Sequence, residues 1–102
     1  MTRIVALFNL REGVARESYE HWARTTDLPT VRNLDSIDGF TTHRCMGLLG
    51  SDDSVPYQYI EIIDVNDMAR FGEELSTEVM QKVAGEFQDF ADNPCFIITD
   101  DL

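Results

Sequence analysis

Arg3 to Leu10, RIVALFNL, is apolar on both faces of an extended chain. Alternation puts Ile4, Ala6, Phe8 and Leu10 on one side and Val5 and Leu7 on the other. Such a segment cannot keep one face in water, so it predicts a central strand covered on both sides. Tyr57 to Val65 repeats the demand, with Ile63 and Val65 on one face and Ile60 and Ile62 on the other. At 102 residues the chain is one domain, residues 1–102. So short a chain leaves much of its surface uncovered.

The intervening segments supply two helical layers. Arg16 to Thr25 reads as a helix, with Tyr19, Trp22, Ala23 and Thr26 at i, i+3, i+4 and i+7. Pro29 disfavours helical geometry at Leu28 and predicts a break there, followed by a helical turn over Thr30 to Leu34. Gly39 opens a second strand, Phe40 to Leu49, and Gly50 to Ser54 is a polar turn. Asn66 is a suitable N-cap for a helix marked by Met68, Phe71 and Leu75. Ser76 or Thr77 starts a longer helix, with Val79, Met80, Val83, Ala84, Phe87, Phe90 and Ala91 on its apolar stripe. Asn93–Pro94 ends it, and Cys95 to Thr99 is the fourth strand. The order β-α-β-β-α-β, with right-handed crossovers, predicts an α+β, ferredoxin-like split βαβ fold. Its four-stranded antiparallel sheet has order 4-1-3-2 and both helical segments on one face. The other face then needs a cover, and a second copy of the chain is the economical one. We therefore expect a homodimer in which two sheets face each other as a barrel.

Charge and motif content narrow the partners. The net charge is −11, with one lysine, Lys82, and seven arginines spread along the chain. Phosphate neutralisation needs clustered cations, so neither nucleic acid nor an anionic membrane surface is an expected partner. No apolar run has the length of a signal peptide or a membrane span, and a cytoplasmic location is expected. Cys45 and Cys95 lack CxxC spacing and a nearby His. They read as buried reduced thiols on opposite edge strands, too far apart for a disulfide. No Gly-rich phosphate loop, GxSxG elbow or Cys–His pattern is present, and the two histidines lie in different elements. No cofactor and no metal are expected.

Glu61 is the sharpest candidate for chemistry. It shares a face with Tyr57, Tyr59, Ile63 and Val65. If that face looks toward the helices, desolvation raises the carboxyl pKa to a value useful for proton transfer. The alternative is an ion pair with Arg44 or Arg32. His43 is either a general base or a half-exposed histidine of an edge strand, and His21 reads as a solvated helix residue. Asp27, before Leu28–Pro29, is either a pocket carboxylate or a cap for the turn Thr30 to Leu34. Arg32 either binds a substrate carboxylate or neutralises Asp27 or Asp35. Tyr19, Trp22, Phe87 and Phe90 line the space between helices and sheet, as plain core or as the walls of a flat slot for a planar ligand. Tyr59 offers such a slot a hydrogen-bond donor.

The arrangement is similar to the dimeric α/β-barrel superfamily. Within it the chain most resembles the RedY-like (HapK) family. Trp22, Thr26 to Arg32 (TDLPTVR), Tyr57 to Ile62 (YQYIEI) and Phe96 to Thr99 with its acidic tail carry the likeness. The resemblance implies secondary metabolism, in particular prodiginine-type pigment pathways. One departure matters. Many related barrels carry His-x-Pro where this chain has Asp27–Leu28–Pro29, so a carboxylate stands in the place of their histidine. The histidine pattern of small polyketide cyclases is also missing. Together the residues and the resemblance imply a small cofactor-free enzyme acting on a planar aromatic or pyrrolic intermediate. Cyclisation, dehydration or aromatisation would proceed by acid/base chemistry at Glu61, His43 and Asp27. The alternatives are a cofactor-independent monooxygenase and a non-catalytic carrier of a hydrophobic intermediate.

Overall fold

A computed structural model describes residues 1–102. Strand β1 spans Thr2–Leu10, β2 Ile37–Arg44, β3 Tyr59–Val65 and β4 Ala91–Asp100. The helices are α1 (Arg16–Trp22), α2 (Leu28–Arg32), α3 (Met68–Leu75) and α4 (Glu78–Phe90), with a π-helical turn, Ala23–Asp27, joining α1 to α2. The sheet order is β2-β3-β1-β4 and each neighbouring pair is antiparallel. This is the expected ferredoxin-like arrangement.

The doubly apolar strands behave as their pattern requires. Ile4, Ala6 and Phe8 of β1, and Tyr59, Glu61, Ile63 and Val65 of β3, are buried under the helices. Val5, Leu7, Ile60 and Ile62 emerge on the other face and are only half-buried, because no element of the chain crosses that side.

Several local boundaries differ from expectation, each for a physical reason. The chain does not break at Leu28, which keeps right-handed helical angles (φ −57°, ψ −51°). A proline ring clashes with the carbonyl four residues back. Here the preceding turn widens instead, and the Leu28 amide donates to the Ala23 carbonyl, five residues back. The wide turn retards the helical rotation, so Asp27, and not Thr26, takes the next inward position after Tyr19, Trp22 and Ala23. Strand β2 begins at Ile37, two residues before Gly39, across a register shift between Ile37 and Gly39, and it ends at Arg44. Asp67, rather than Asn66, caps α3 by accepting from the Arg70 amide. The Asn66 amide instead donates to the Asp35 carbonyl and the Asp38 carboxylate. Thr77 caps α4, as its position suggests. Strand β4 starts at Ala91 and carries Pro94 inside it, which an edge strand tolerates. Asn93, at φ 47°, lies in the stretch where the β1–β4 register shifts.

Both cysteines are free, but they are not buried: Cys45 is half-buried and Cys95 is exposed. Cys95 sits on an edge strand whose outer side no helix covers. No helix is long and apolar enough to cross a membrane.

Candidate active site

The helical layer does not settle evenly on the sheet. At one end Phe8, Tyr19, Trp22, Tyr59, Val83 and Phe87 form a continuous ring-packed cluster. Phe8 meets Tyr19 and Phe87 edge-on, with centroids 5.5 and 5.0 Å apart, and stacks on Tyr59 at 5.6 Å. At the other end the smaller aliphatic side chains leave a cavity of about 410 Å³ between the sheet and α3 and α4. That volume suits a small organic ligand. Ile4, Phe40 and Ile63 form its floor, and Phe71, Met80 and Val83 its roof. Its open side is rimmed by exposed apolar residues, among them Met68, Leu75, Phe96 and Ile98.

Only two polar side chains line this cavity, Asp27 and Glu61. They are 5% and 4% exposed. Glu61 arrives from the middle of β3, where alternation turns it inward between Tyr59 and Ile63. Asp27 arrives from the helical layer by way of the wide turn. Neither carboxyl is neutralised by a cation. Arg44 pairs with Glu20, and the Arg32 Nε donates to the Phe40 carbonyl at 2.9 Å. Asp27 caps nothing, since its side chain accepts no bond at the start of α2. Oε1 of Glu61 is buried without a hydrogen-bond partner.

This environment sets the protonation. Burial raises the Asp27 carboxyl to about 7. Burial raises Glu61 to about 8, and the nearby charge of Asp27 adds to the effect. A low dielectric penalises each carboxylate, and one carboxylate penalises the other. Near neutral pH the pair therefore holds both a base and an acid, the arrangement that proton shuttling requires. No cationic side chain faces the cavity, so it is not built for a phosphate or carboxylate group. No three His, Cys, Asp or Glu side chains converge anywhere in the chain as a metal-binding group would.

The sequence profile of the family described as REDY-like protein HapK matches residues 2–102. The chain belongs to the REDY-like HapK family. No curated protein matches it. The crystal structure of HapK from Hahella chejuensis superposes with a TM-score of 0.80 at 24% identity, over 100% of this chain and 93% of that one. A hydroxynitrile lyase from Passiflora edulis has a TM-score of 0.79 at 10% identity, over 96% of this chain and 90% of the lyase. A dimeric protein of ferredoxin-like fold from Bacteroides fragilis has a TM-score of 0.69 at 8% identity, over 98% and 95% of the two chains. These likenesses show a shared fold.

Within this HapK-family chain the expected site residues divide into two sets. Glu61, Asp27 and Phe87 meet at the cavity. The rest lie elsewhere. His43 is exposed and bonded to Thr41 Oγ1 at 2.9 Å, because its strand position turns it away from the helices. The Tyr59 hydroxyl is committed to Glu20 Oε2 at 2.7 Å and does not reach the cavity. Tyr19, Trp22 and Phe90 pack against one another and not around the hollow. Trp22 Nε1 points to Glu86 Oε1 at 3.4 Å. Arg32 is exposed and faces no cavity group. The aromatic stripe is core, and the hollow has mainly aliphatic walls.

Sequence reasoning missed Glu20. It accepts from Tyr59, Arg24 and Arg44 and organises a second, polar hollow of about 110 Å³. Arg44 and Tyr59 hold its carboxyl down at about 2. The i,i+4 spacing of Glu20 and Arg24 was the one visible signal, and it does not foretell Arg44 or Tyr59. The cavity-lining role of Phe96 and Ile98 was also hidden, although their exposure on an edge strand now explains it.

Proposed function

We propose that this chain is a small acid/base enzyme that takes a planar, uncharged aromatic or pyrrolic intermediate into the cavity and promotes its cyclisation, dehydration or aromatisation. One observation carries the reading: two buried, unpaired carboxyls are the only polar side chains in an otherwise apolar cavity. An apolar wall selects an apolar ligand, and the absence of any facing cation selects against an anionic one. A dehydration step balances with these groups alone. The Asp27 carboxylate takes a proton from carbon, the protonated Glu61 gives one to the departing hydroxyl, and water leaves. The pair resets when the proton on Asp27 passes to Glu61, either directly or by release from Asp27 to solvent and uptake of another from solvent by Glu61. No cofactor is required for that step.

The secondary-metabolic setting rests on family membership, and a lyase among the fold's relatives supports the enzyme class. We assign a homodimer on two grounds. Val5, Leu7, Ile60 and Ile62 make a half-buried apolar sheet face, and a relative of this fold is described as dimeric. The acidic surface and two unpaired thiols suit a cytoplasmic location.

Mass spectrometry of small molecules that co-purify with the protein tests the substrate class. A planar uncharged aromatic or pyrrole is expected. Incubating that molecule with wild type, Glu61→Gln and Asp27→Asn tests the chemistry. Conversion by wild type and at least about a hundredfold loss in each variant supports it. Binding without conversion makes the chain a carrier, and equal conversion by all three removes both carboxyls from the chemistry.

A further inference from the structure

Four buried side-chain polar atoms find no partner in the protein, and three of them belong to residues that line the two hollows: the hydroxyls of Tyr19 and Thr42 and Oε1 of Glu61. Thr42 and Glu61 are paired across β2 and β3. Their side chains therefore leave the sheet on the same face, with Cβ atoms about 5 Å apart. Tyr19 lies over that face, with no exposed surface and its ring centroid 4.8 Å from that of Tyr59. Leaving such atoms dry costs about 1–3 kcal/mol each. Three polar groups around one point are the usual complement of a buried water.

The position of the three atoms gives that water a task. Glu61 lines the apolar cavity and not the polar hollow, whereas Tyr19 and Thr42 line the polar hollow and not the cavity. The three groups together form the partition between the two spaces. The hollow's volume of about 110 Å³ holds a few waters. On its side the partition faces the charged or titratable groups Glu20, Arg24, Arg44 and Tyr59, and on the cavity side it faces Asp27.

We propose that Tyr19, Thr42 and Glu61 hold a water that links Glu61 to the polar hollow, so that the carboxyl exchanges its proton with solvent while the apolar mouth is filled. This rests on the reading of Glu61 as a proton donor. An apolar ligand seated in the cavity shuts out bulk water, and an acid that has given its proton away must recover one. The held water passes a proton to Glu61 Oε1 and receives one from the hollow, directly or through a hydroxyl. Each hydroxyl gives and takes one proton, so the relay ends as it began. Tyr19 and Thr42 are positioning residues for the water.

Two measurements on the full chain test the relay. A crystal structure fine enough to place ordered water should show one within hydrogen-bonding reach of all three atoms. A dry partition, or direct bonds among the three groups, would overturn the proposal. The second measurement follows the infrared carboxyl band of Glu61, identified through Glu61→Gln, after a rapid pH jump in protein saturated with naphthalene. Wild type should protonate readily. Tyr19→Phe combined with Thr42→Val, which keeps ring and volume, should protonate about tenfold more slowly or worse. An unchanged rate in the double variant rejects the relay while leaving the catalytic reading of Glu61 intact. A Glu61 that titrates in the ordinary carboxyl range rejects that reading instead.

Discussion

Asp27 and Glu61 enter the same cavity from opposite layers of the fold, one from a widened helical turn and the other from the centre of the sheet. Neither has a compensating cation, and the charge of the first raises the pKa of the second. A pair of this kind is unfavourable for stability and useful for moving protons.

The coupling is directly measurable. Carbon-detected NMR titration of the side-chain carboxyls should place Asp27 near 7 and Glu61 near 8 in the wild type. In Asp27→Asn, Glu61 should titrate lower, because the neighbouring charge is gone while the burial stays. A Glu61 midpoint that does not move would separate the two carboxyls electrostatically.

Stability should carry the same signature. Both folded-state values lie above the ordinary carboxyl values, so the folded protein binds more protons than the unfolded chain across the interval. The contribution is fully favourable below an ordinary carboxyl pKa and is lost as pH rises through about 7 to 8. Urea unfolding should therefore show Glu61→Gln gaining stability relative to wild type at about pH 9, by a few kcal/mol, and gaining little near pH 5. An equal difference at both pH values would contradict the raised pKa.

Gly72 allows the cavity to be closed without damaging the fold. It lines the hollow from α3, and a Cβ built there meets nothing within 4 Å. Gly72→Leu should improve the helix by up to about 1 kcal/mol. Calorimetric binding of naphthalene should weaken at least about tenfold. A variant that binds as well as wild type would place the ligand elsewhere.

The open sheet face predicts its own disruption. Leu7 lies half-buried there, with Ile60 opposite it on β3. Leu7→Glu should convert a dimer to a monomer in sedimentation equilibrium while leaving the far-ultraviolet circular dichroism unchanged. A wild type that sediments as a monomer at micromolar concentration would refute the assembly.

Tyr59 should matter for stability and not for ligand binding. Its hydroxyl donates to the ionised Glu20 at 2.7 Å. Tyr59→Phe should destabilise the fold by about 1–2 kcal/mol at neutral pH, with naphthalene affinity retained. Glu20 titrates below the ordinary carboxyl range, so its contribution is present above that range and fades as pH falls toward about 2. The effect of Tyr59→Phe should shrink with it.

The amino-acid sequence by itself determined the order of elements, the sheet topology and the face that Glu61 shares with Tyr59, Ile63 and Val65. These follow from periodicities of two and 3.6 residues, which are local properties of a chain. Family membership was legible too, in the segments around Trp22, Thr26 to Arg32 and Tyr57 to Ile62. The tertiary structure alone decided where the packing is solid and where it is open. Periodicity marks an inward side chain but not what it meets. Tyr19, Trp22 and Phe90 were thus indistinguishable from cavity walls until their rings were seen filling one end. The inward turn of Asp27 depended on a helix widening ahead of Pro29, and the isolation of Glu61 depended on Arg44 choosing Glu20. Both are outcomes of competition among distant groups for the same space and the same charges, and no local spacing records who wins.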